Sequence, residues 1–414
     1  MRIVIVGNGP AALAAVEAIR ETDVGSEITV LSGEAERAYT PCFLAKYVAG
    51  KVEAEGLALK GDDFYEKMGV TLLTGKAVTS VVPEESSVVL EDGTRIGYDR
   101  LLLACGAEPV IPETPDLSGP GVFYFRSLAD ATAIRSMAKG VRDVIVLGSG
   151  FVAMEIAEAL TEIGAKVSMI ARTEHILRRI FDAEVADLVE EHMAEGGVCF
   201  KKCCNLLEIE RDAKGALQTA VLSSGERLPV QMLVVGVGMR ANDRIVAGTQ
   251  IAVASGILTD AAMRTSVENI WAAGDVAEVE IGGVTKANLI HPNAVAGGRV
   301  AGCNIAGGQK RMEAHLADMN VLTVFGRSFM AVGALEGEKV LRRVVGPDKL
   351  VKVFADANGL IKGVELVGDV THGGLYASLM ARGVHVNEVP DLLAPSFNYG
   401  QTVGPTARPT ARVS

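Results

Sequence analysis

No apolar stretch in this sequence of 414 residues reaches the roughly 20 residues that a membrane span requires. The opening "MRIVIVG" also lacks the longer apolar segment and small-residue cleavage site of a signal peptide. Positive charge is in deficit. A formal net charge of −11 argues against nucleic acid or an anionic membrane as a general partner. Six cysteines are scattered without the spacing of a disulfide framework, so the expected compartment is the reducing cytoplasm. The histidines assemble no Ser-His-Asp set, metal-ligand array or P-loop, and no metal is expected. Tryptophan occurs once and glycine 46 times, a balance suited to tight turns and to backbone that approaches a ligand closely.

What the chain does contain is an internal echo. "MRIVIVGNGPAALAAVEAIR" at the start is matched by "RDVIVLGSGFVAMEIAEAL" from Arg142. Each reads as a β-branched strand, a Gly-x-Gly turn and a helix with an apolar face. Each is followed by a further strand, "SEITVLSG" and "AKVSMIAR". The fold class is therefore α/β, with two doubly wound, Rossmann-like units. In the first fingerprint Gly7 permits the tight turn, Gly9 lets backbone approach a pyrophosphate, and Ala12 allows close helix–strand packing. One such match is weak, but two in βαβ context are specific. From about Asp318 the texture changes. "LVKVFADANGLIKGVELVG" reads as two strands about an Asn-Gly turn, and "GLYASLMARG" as a helix stopped by glycine. The tail 401–414 is expected to be disordered or bound to a partner.

The ordered set "GNGPAALAA", "YDRLLLACGAEPVIP", "VIVLGSGFVAMEIAEAL" and "IWAAGDVAE" resembles the FAD-dependent pyridine nucleotide-disulfide oxidoreductase superfamily over about residues 1 to 400. The resemblance implies an FAD domain (1–112 and 241–318), an inserted NAD(P)H domain (113–240) and a C-terminal α+β interface domain (319–400). It implies that Gly7, Gly9 and Ala12 hold the FAD pyrophosphate, with Ala104, Gly106, Gly274 and Asp275 also at the flavin cofactor. Gly148, Gly150 and Ala153 would hold the nicotinamide dinucleotide, and Phe151 would cover the flavin. His291 and Asn293, at the start of a helix aimed at the flavin pyrimidine, are candidate ring contacts. The family's acidic ribose partner after the second strand is missing from "ITVLSGEAE", which leaves Ser32 or Glu34. In "KVSMIARTEHILRRIFD", Ala171 stands where an NAD-preferring enzyme carries Glu, while Arg172 and Arg178 occupy positions resembling 2′-phosphate ligands. The cofactor is thus NAD(H) or NADP(H).

Two branches of the superfamily overlay "AYTPCFLAKYV". Single-cysteine coenzyme A-disulfide reductases and NADH oxidases or peroxidases would use Cys42. Ferredoxin and rubredoxin reductases would use Lys46, paired with Glu155 beside the flavin. A buried lysine needs a counter-ion, and a fixed ammonium near the reduced ring shifts its potential. Cys42 is then a redox thiol, an apolar filler or a loop residue. Cys199, Cys203 and Cys204 lack a four-ligand metal spacing and are expected to be buried or half-buried. The expected function is an FAD-dependent NAD(P)H oxidoreductase that exchanges electrons with a ferredoxin, rubredoxin or iron–sulfur subunit. The resemblance extends to flavin subunits of multisubunit 2-oxoacid oxidoreductases of the phenylglyoxylate dehydrogenase type, and implies a homodimer or a hetero-oligomeric complex. The alternative is a Cys42-dependent reductase of coenzyme A disulfide, peroxide or dioxygen.

Overall fold

A computed structural model describes residues 1–114, 117–287, 289–313, 319–346, 348–394 and 397–398. The tail 401–414 lies outside the described residues. The chain divides into two compact units. One comprises the described residues of Met1–Glu113, Leu117–Gly140 and Val234–Leu316, and the other those of Thr114–Asp116, Val141–Leu233 and Ala317–Ser414. Residues 117–140 thus belong to the first unit, and the C-terminal sheet belongs with the second glycine turn.

In the first unit a parallel sheet runs in the order Ile270–Ala272, Arg100–Leu103, Arg2–Val6, Glu27–Leu31, Val70–Leu73. Strand alternation sends Ile3 and Ile5 to one core with helix Pro10–Arg20, and Val4 and Val6 to the other. Both faces are covered, as the near-continuous apolar strands require. Helix Pro10–Arg20 lies hard against helix His291–Ile305. A Cβ on Gly298 would sit 2.2 Å from the Ala11 carbonyl oxygen, and one on Gly302 2.4 Å from that of Ala15. Small residues on both helices make this approach possible, and it fixes where the His291 end stands.

In the second unit, strands Cys199–Lys201, Lys166–Ile170 and Asp143–Leu147 are parallel neighbours. The expected Asn-Gly hairpin joins Lys349–Ala355 to Ile361–Val367, with Gly359 at φ 89°. It lies within an antiparallel sheet of five strands ordered Met319–Val324, Arg327–Gly333, Ile361–Val367, Lys349–Ala355, Lys339–Gly346. Helix Gly373–Ala381 ends before Gly383 at φ 65°, as its sequence predicts. No helix among the described residues is long and apolar enough to cross a membrane.

Candidate functional site

The first glycine turn follows directly from strand Arg2–Val6. Gly7 has φ 110° and its N–H donates to the Leu31 carbonyl at 2.8 Å. A Cβ there would lie 2.1 Å from the Ala104 carbonyl oxygen, so only glycine fits. Gly9 begins helix Pro10–Arg20 in extended backbone, and the space its missing Cβ would occupy is open for 4 Å. Ala12, 1% exposed, sits behind the turn in the helix–sheet core.

A cavity of about 450 Å³ opens at this turn, within the first unit. Gly7, Gly9, Ser32, Glu34, Ala104, Gly106, Gly274, Asp275 and His291 all line it, so the fold gathers nine of the expected flavin-site residues from five chain segments. Burial raises the Asp275 pKa, an effect opposed by Arg126 and His291. Asn8 accepts the Tyr65 hydroxyl at 2.6 Å and leaves its own Nδ2 buried without a hydrogen-bond partner among the described residues. Tyr39 donates its hydroxyl to Glu34 Oε2 at 2.6 Å and accepts the Leu128 N–H at 3.0 Å. Burial first, then Glu34, holds the Tyr39 hydroxyl protonated far above its usual range. Ser32 Oγ donates to the Glu34 carbonyl at 3.0 Å. An open helix N-terminus, an unpartnered amide and a cavity in the range of cofactor sites together fit the expected dinucleotide. Asn8, Tyr39 and Arg126 are additions that the fingerprint alone did not assign.

Asn293 stands apart from this cavity. It lines a separate space of about 30 Å³ with Lys286 and Gly274, and its Oδ1 is buried without a hydrogen-bond partner among the described residues. Cys42 is exposed and lines the large cavity from the turn Pro41–Phe43. Lys46, on helix Leu44–Val48, is exposed and is not among the lining residues. Its ammonium lies 4.5 Å from the Phe43 ring centroid. Glu155, on helix Phe151–Glu162, belongs to the second unit.

The second glycine turn repeats the first. Gly148 has φ 139° and donates its N–H to the Ile170 carbonyl at 3.0 Å. Gly150 starts helix Phe151–Glu162 with open space at its missing Cβ, and Ala153 is fully buried behind it. The Phe151 ring meets Phe181 edge-on at 6.3 Å. Ala171 is buried, whereas Arg172 and Arg178 are exposed and neither pairs with a carboxylate among the described residues.

The cysteine cluster departs from expectation. Cys199 and Cys203 are exposed and Cys204 alone is buried. Strand Cys199–Lys201 is the outermost of its sheet, which leaves one edge open, and Cys203 sits in a left-handed turn at φ 54°. Among the described residues no group of His, Cys, Asp or Glu could hold a metal ion. Burial pushes the Cys105 thiol up to about 12, and it donates to the Asn242 carbonyl at 3.3 Å.

Known proteins resemble this chain in sequence and fold. Residues 1–298 match the family profile described as Pyridine nucleotide-disulphide oxidoreductase. The NADH-dependent phenylglyoxylate dehydrogenase subunit epsilon of Aromatoleum evansii is 32% identical over 387 residues, covering 92% of this chain and 91% of that protein. An NAD(P)H sulfur oxidoreductase (CoA-dependent) of Pyrococcus furiosus is 33% identical over 319 residues, covering 74% of this chain and 70% of that protein. Among solved structures, the covalent putidaredoxin reductase–putidaredoxin complex superposes with a TM-score of 0.86 at 25% identity, covering 95% of this chain and 96% of that chain.

Proposed function

The chain belongs to the pyridine nucleotide-disulphide oxidoreductase family, and on that premise we propose that it exchanges electrons with a protein iron–sulfur or ferredoxin-type carrier, as the flavin subunit of a larger complex. It is an FAD-dependent NAD(P)H oxidoreductase. Bound FAD would supply hydride exchange with a nicotinamide and electron exchange with a second partner. The observation that carries the proposal is similarity to a complex subunit along nearly the whole of both chains.

This chain's own residues supply binding and orientation. The Gly7–Gly9 turn and the start of helix Pro10–Arg20 offer backbone N–H groups to the pyrophosphate. Glu34, oriented by Tyr39, is the ribose partner, since the Ser32 hydroxyl is already committed to backbone. Asp275 accepts hydrogen bonds on the ribityl side, and His291 faces the ring. The three-part division into FAD, nicotinamide and C-terminal domains is proposed with these roles. In the second unit Gly148, Gly150 and Ala153 receive the dinucleotide, and Arg172 and Arg178 give competence for NADP(H) beside NAD(H). Catalytic roles are proposed for Lys46 in the first unit and for Glu155 in the second.

The test is native purification from the source cells under anaerobic conditions. Stoichiometric iron–sulfur subunits accompanying the chain, and reduction of such a carrier by NADH or NADPH, are the expected results. A chain that purifies alone and reduces no iron–sulfur protein contradicts the proposal. A second reading, a thiol-dependent reductase, is favoured by one observation: Cys42 is exposed and lines the cavity. Cys42→Ser separates the two. Carrier reduction that survives the substitution supports the first reading, and its loss supports the second.

A further inference from the structure

The second unit contains a buried charge cluster that none of the roles above uses. Arg342, Lys352 and Glu365 are direct cross-strand partners in the C-terminal sheet. Such partners share a face. Lys352 is 4% exposed and Glu365 is fully buried. The row meets the start of helix Ala183–Glu195. The Lys352 ammonium pairs with Asp182 and lies 3.1 Å from Glu184 Oε2 and 3.7 Å from Glu365 Oε2. Arg342 Nε donates to Glu184 Oε1 at 2.8 Å. The Asp182 N–H donates to Glu365 Oε1 at 2.7 Å, while the Asp182 carboxylate caps the helix by accepting the Val185 N–H at 3.1 Å. Three contacts therefore converge on one residue.

A buried ion cluster is poor at adding stability, because desolvation offsets most of the attraction. Its better-supported use is to specify one arrangement. What this cluster specifies follows from the chain before it. The Phe181 N–H donates to the Leu177 carbonyl at 3.1 Å, and the Leu177 N–H donates to the Ser149 carbonyl at 2.9 Å, inside the second glycine turn. Leu177 sits at φ 52°, a conformation that a branched residue keeps only when its surroundings impose it. The Phe181 ring also meets Phe151, the first residue after that turn. The far end of helix Ala183–Glu195 is held as well, with His192 Nε2 3.1 Å from the Val324 carbonyl.

We propose that Lys352 and Glu365 are positioning residues for dinucleotide binding: by fixing Asp182 they hold segment 172–181, and through Leu177 the second glycine turn, in the arrangement that receives the adenosine end of the nicotinamide cofactor. The inference rests on the reading of that turn and of Arg172 and Arg178 as the dinucleotide site. It also carries a pH dependence. Burial pushes Glu365 up to about 8. The charged groups facing it are Lys352 and, one strand further, Arg342, with Asp182 and Glu184 from the helix. Its partner on strand Arg327–Gly333 is the uncharged Ala331. With Glu365 neutral, two cations balance two carboxylates. Once it ionises, an unbalanced negative charge appears beside Asp182 and loosens the start of the helix.

The experiment titrates NAD+ and NADP+ calorimetrically into the flavin-loaded full chain from about pH 6.5 to 9.5, on both sides of the ionisation. Wild-type affinity is expected to fall as pH passes about 8. Glu365→Gln, which keeps the acceptor and removes the charge, is expected to stay level. Lys352→Met is expected to weaken binding on the order of tenfold, the scale on which substitutions that do not touch a ligand alter its coupling to the rest of the protein. It should speed hydrogen exchange at amides 172–182 without changing flavin content, and Lys352→Arg should recover binding. Unchanged affinity and exchange in Lys352→Met overturn the inference, as does a Glu365→Gln profile that still falls like wild type. If Lys352→Met does not fold, the Glu365→Gln comparison decides alone. The double variant Arg172→Ala, Arg178→Ala separates the underlying reading. Wild-type binding there overturns the site assignment, whereas weakened binding there with unchanged Lys352→Met overturns the inference alone.

Discussion

The first glycine turn is pressed onto its neighbour, with no room for a Cβ between Gly7 and the Ala104 carbonyl. The second is tied to the chain beyond it by hydrogen bonds, from Gly148 to the Ile170 carbonyl and from Leu177 to the Ser149 carbonyl. The backbone is the same in both: a left-handed glycine, an extended glycine, then a helix. The surroundings differ. Around the first, segments distant in sequence close a cavity lined by Glu34, Tyr39, Arg126 and Asp275. Beside the second, Arg172 and Arg178 stand exposed on a segment held from its far end. One motif thus serves two purposes. On the proposed reading, the rest of the chain decides whether a dinucleotide is enclosed or is received at an open face.

The strongest way to break this comparison is Gly7→Ala. The left-handed backbone alone costs about 1–2 kcal/mol, and the overlap with the Ala104 carbonyl adds to it. The variant is expected to purify without flavin, as read from its visible absorbance. Gly150→Ala, in extended backbone with open space around it, is expected to keep fold and flavin. It should weaken dinucleotide binding, because its methyl group stands where a pyrophosphate would approach. Equal flavin loss in both variants would show that the two turns are not specialised as described.

Next in size is dinucleotide choice. Removing both Arg172 and Arg178 deletes charge-assisted hydrogen bonds worth about 1.5–3 kcal/mol each. The preference for NADPH over NADH, measured as the ratio of kcat/KM values, is expected to drop by roughly tenfold or more. An unchanged ratio would show that the exposed arginines do not reach a 2′-phosphate.

A smaller effect concerns stability against pH. Glu365 is raised from its ordinary 4.5 to about 8 by burial. Between those values the folded chain keeps a proton that the unfolded chain releases. Stability therefore falls as pH rises across that window and levels off above it. Urea midpoints of the wild type should decline from about pH 5 to 8, and Glu365→Gln should flatten this decline. Parallel curves for the two would mean that Glu365 is ionised throughout.

How much of this was legible in the sequence depends on the range of each interaction. The two turns, their helices, the Asn358-Gly359 hairpin and the helix stop before Gly383 are short-range features, and each was readable from a few adjacent residues. Of the residues lining the cavity, Gly7 and Gly9 sit in a spacing that announces them, whereas Asp275 was reached only through the resemblance to the family. The fingerprint does not assign Tyr39, and its tie to Leu128, 89 positions away, is a long-range contact that no local pattern shows. Arg126 carries no local signal at all, since only the fold brings it to the cavity. The Asp182–Lys352–Glu365 cluster joins residues up to 183 positions apart. Cys199 and Cys203 were misjudged because nothing in "GVCFKKCCN" reveals that its strand is the outer one of its sheet.

The mildest substitution is Ser32→Ala. Its hydroxyl bonds to backbone, so the loss is expected to be about 1 kcal/mol, with flavin content unchanged. Glu34→Ala should instead release flavin more readily, measured as the FAD dissociation constant.

Everything in the comparison presumes that the first cavity encloses a flavin. The direct measurement is the visible absorption and extracted cofactor of the purified chain, before and after addition of NADH or NADPH. The predicted result is about one FAD per chain, with a flavin band that bleaches on addition of the reduced nucleotide. A colourless protein that takes up no FAD when it is supplied would contradict the account.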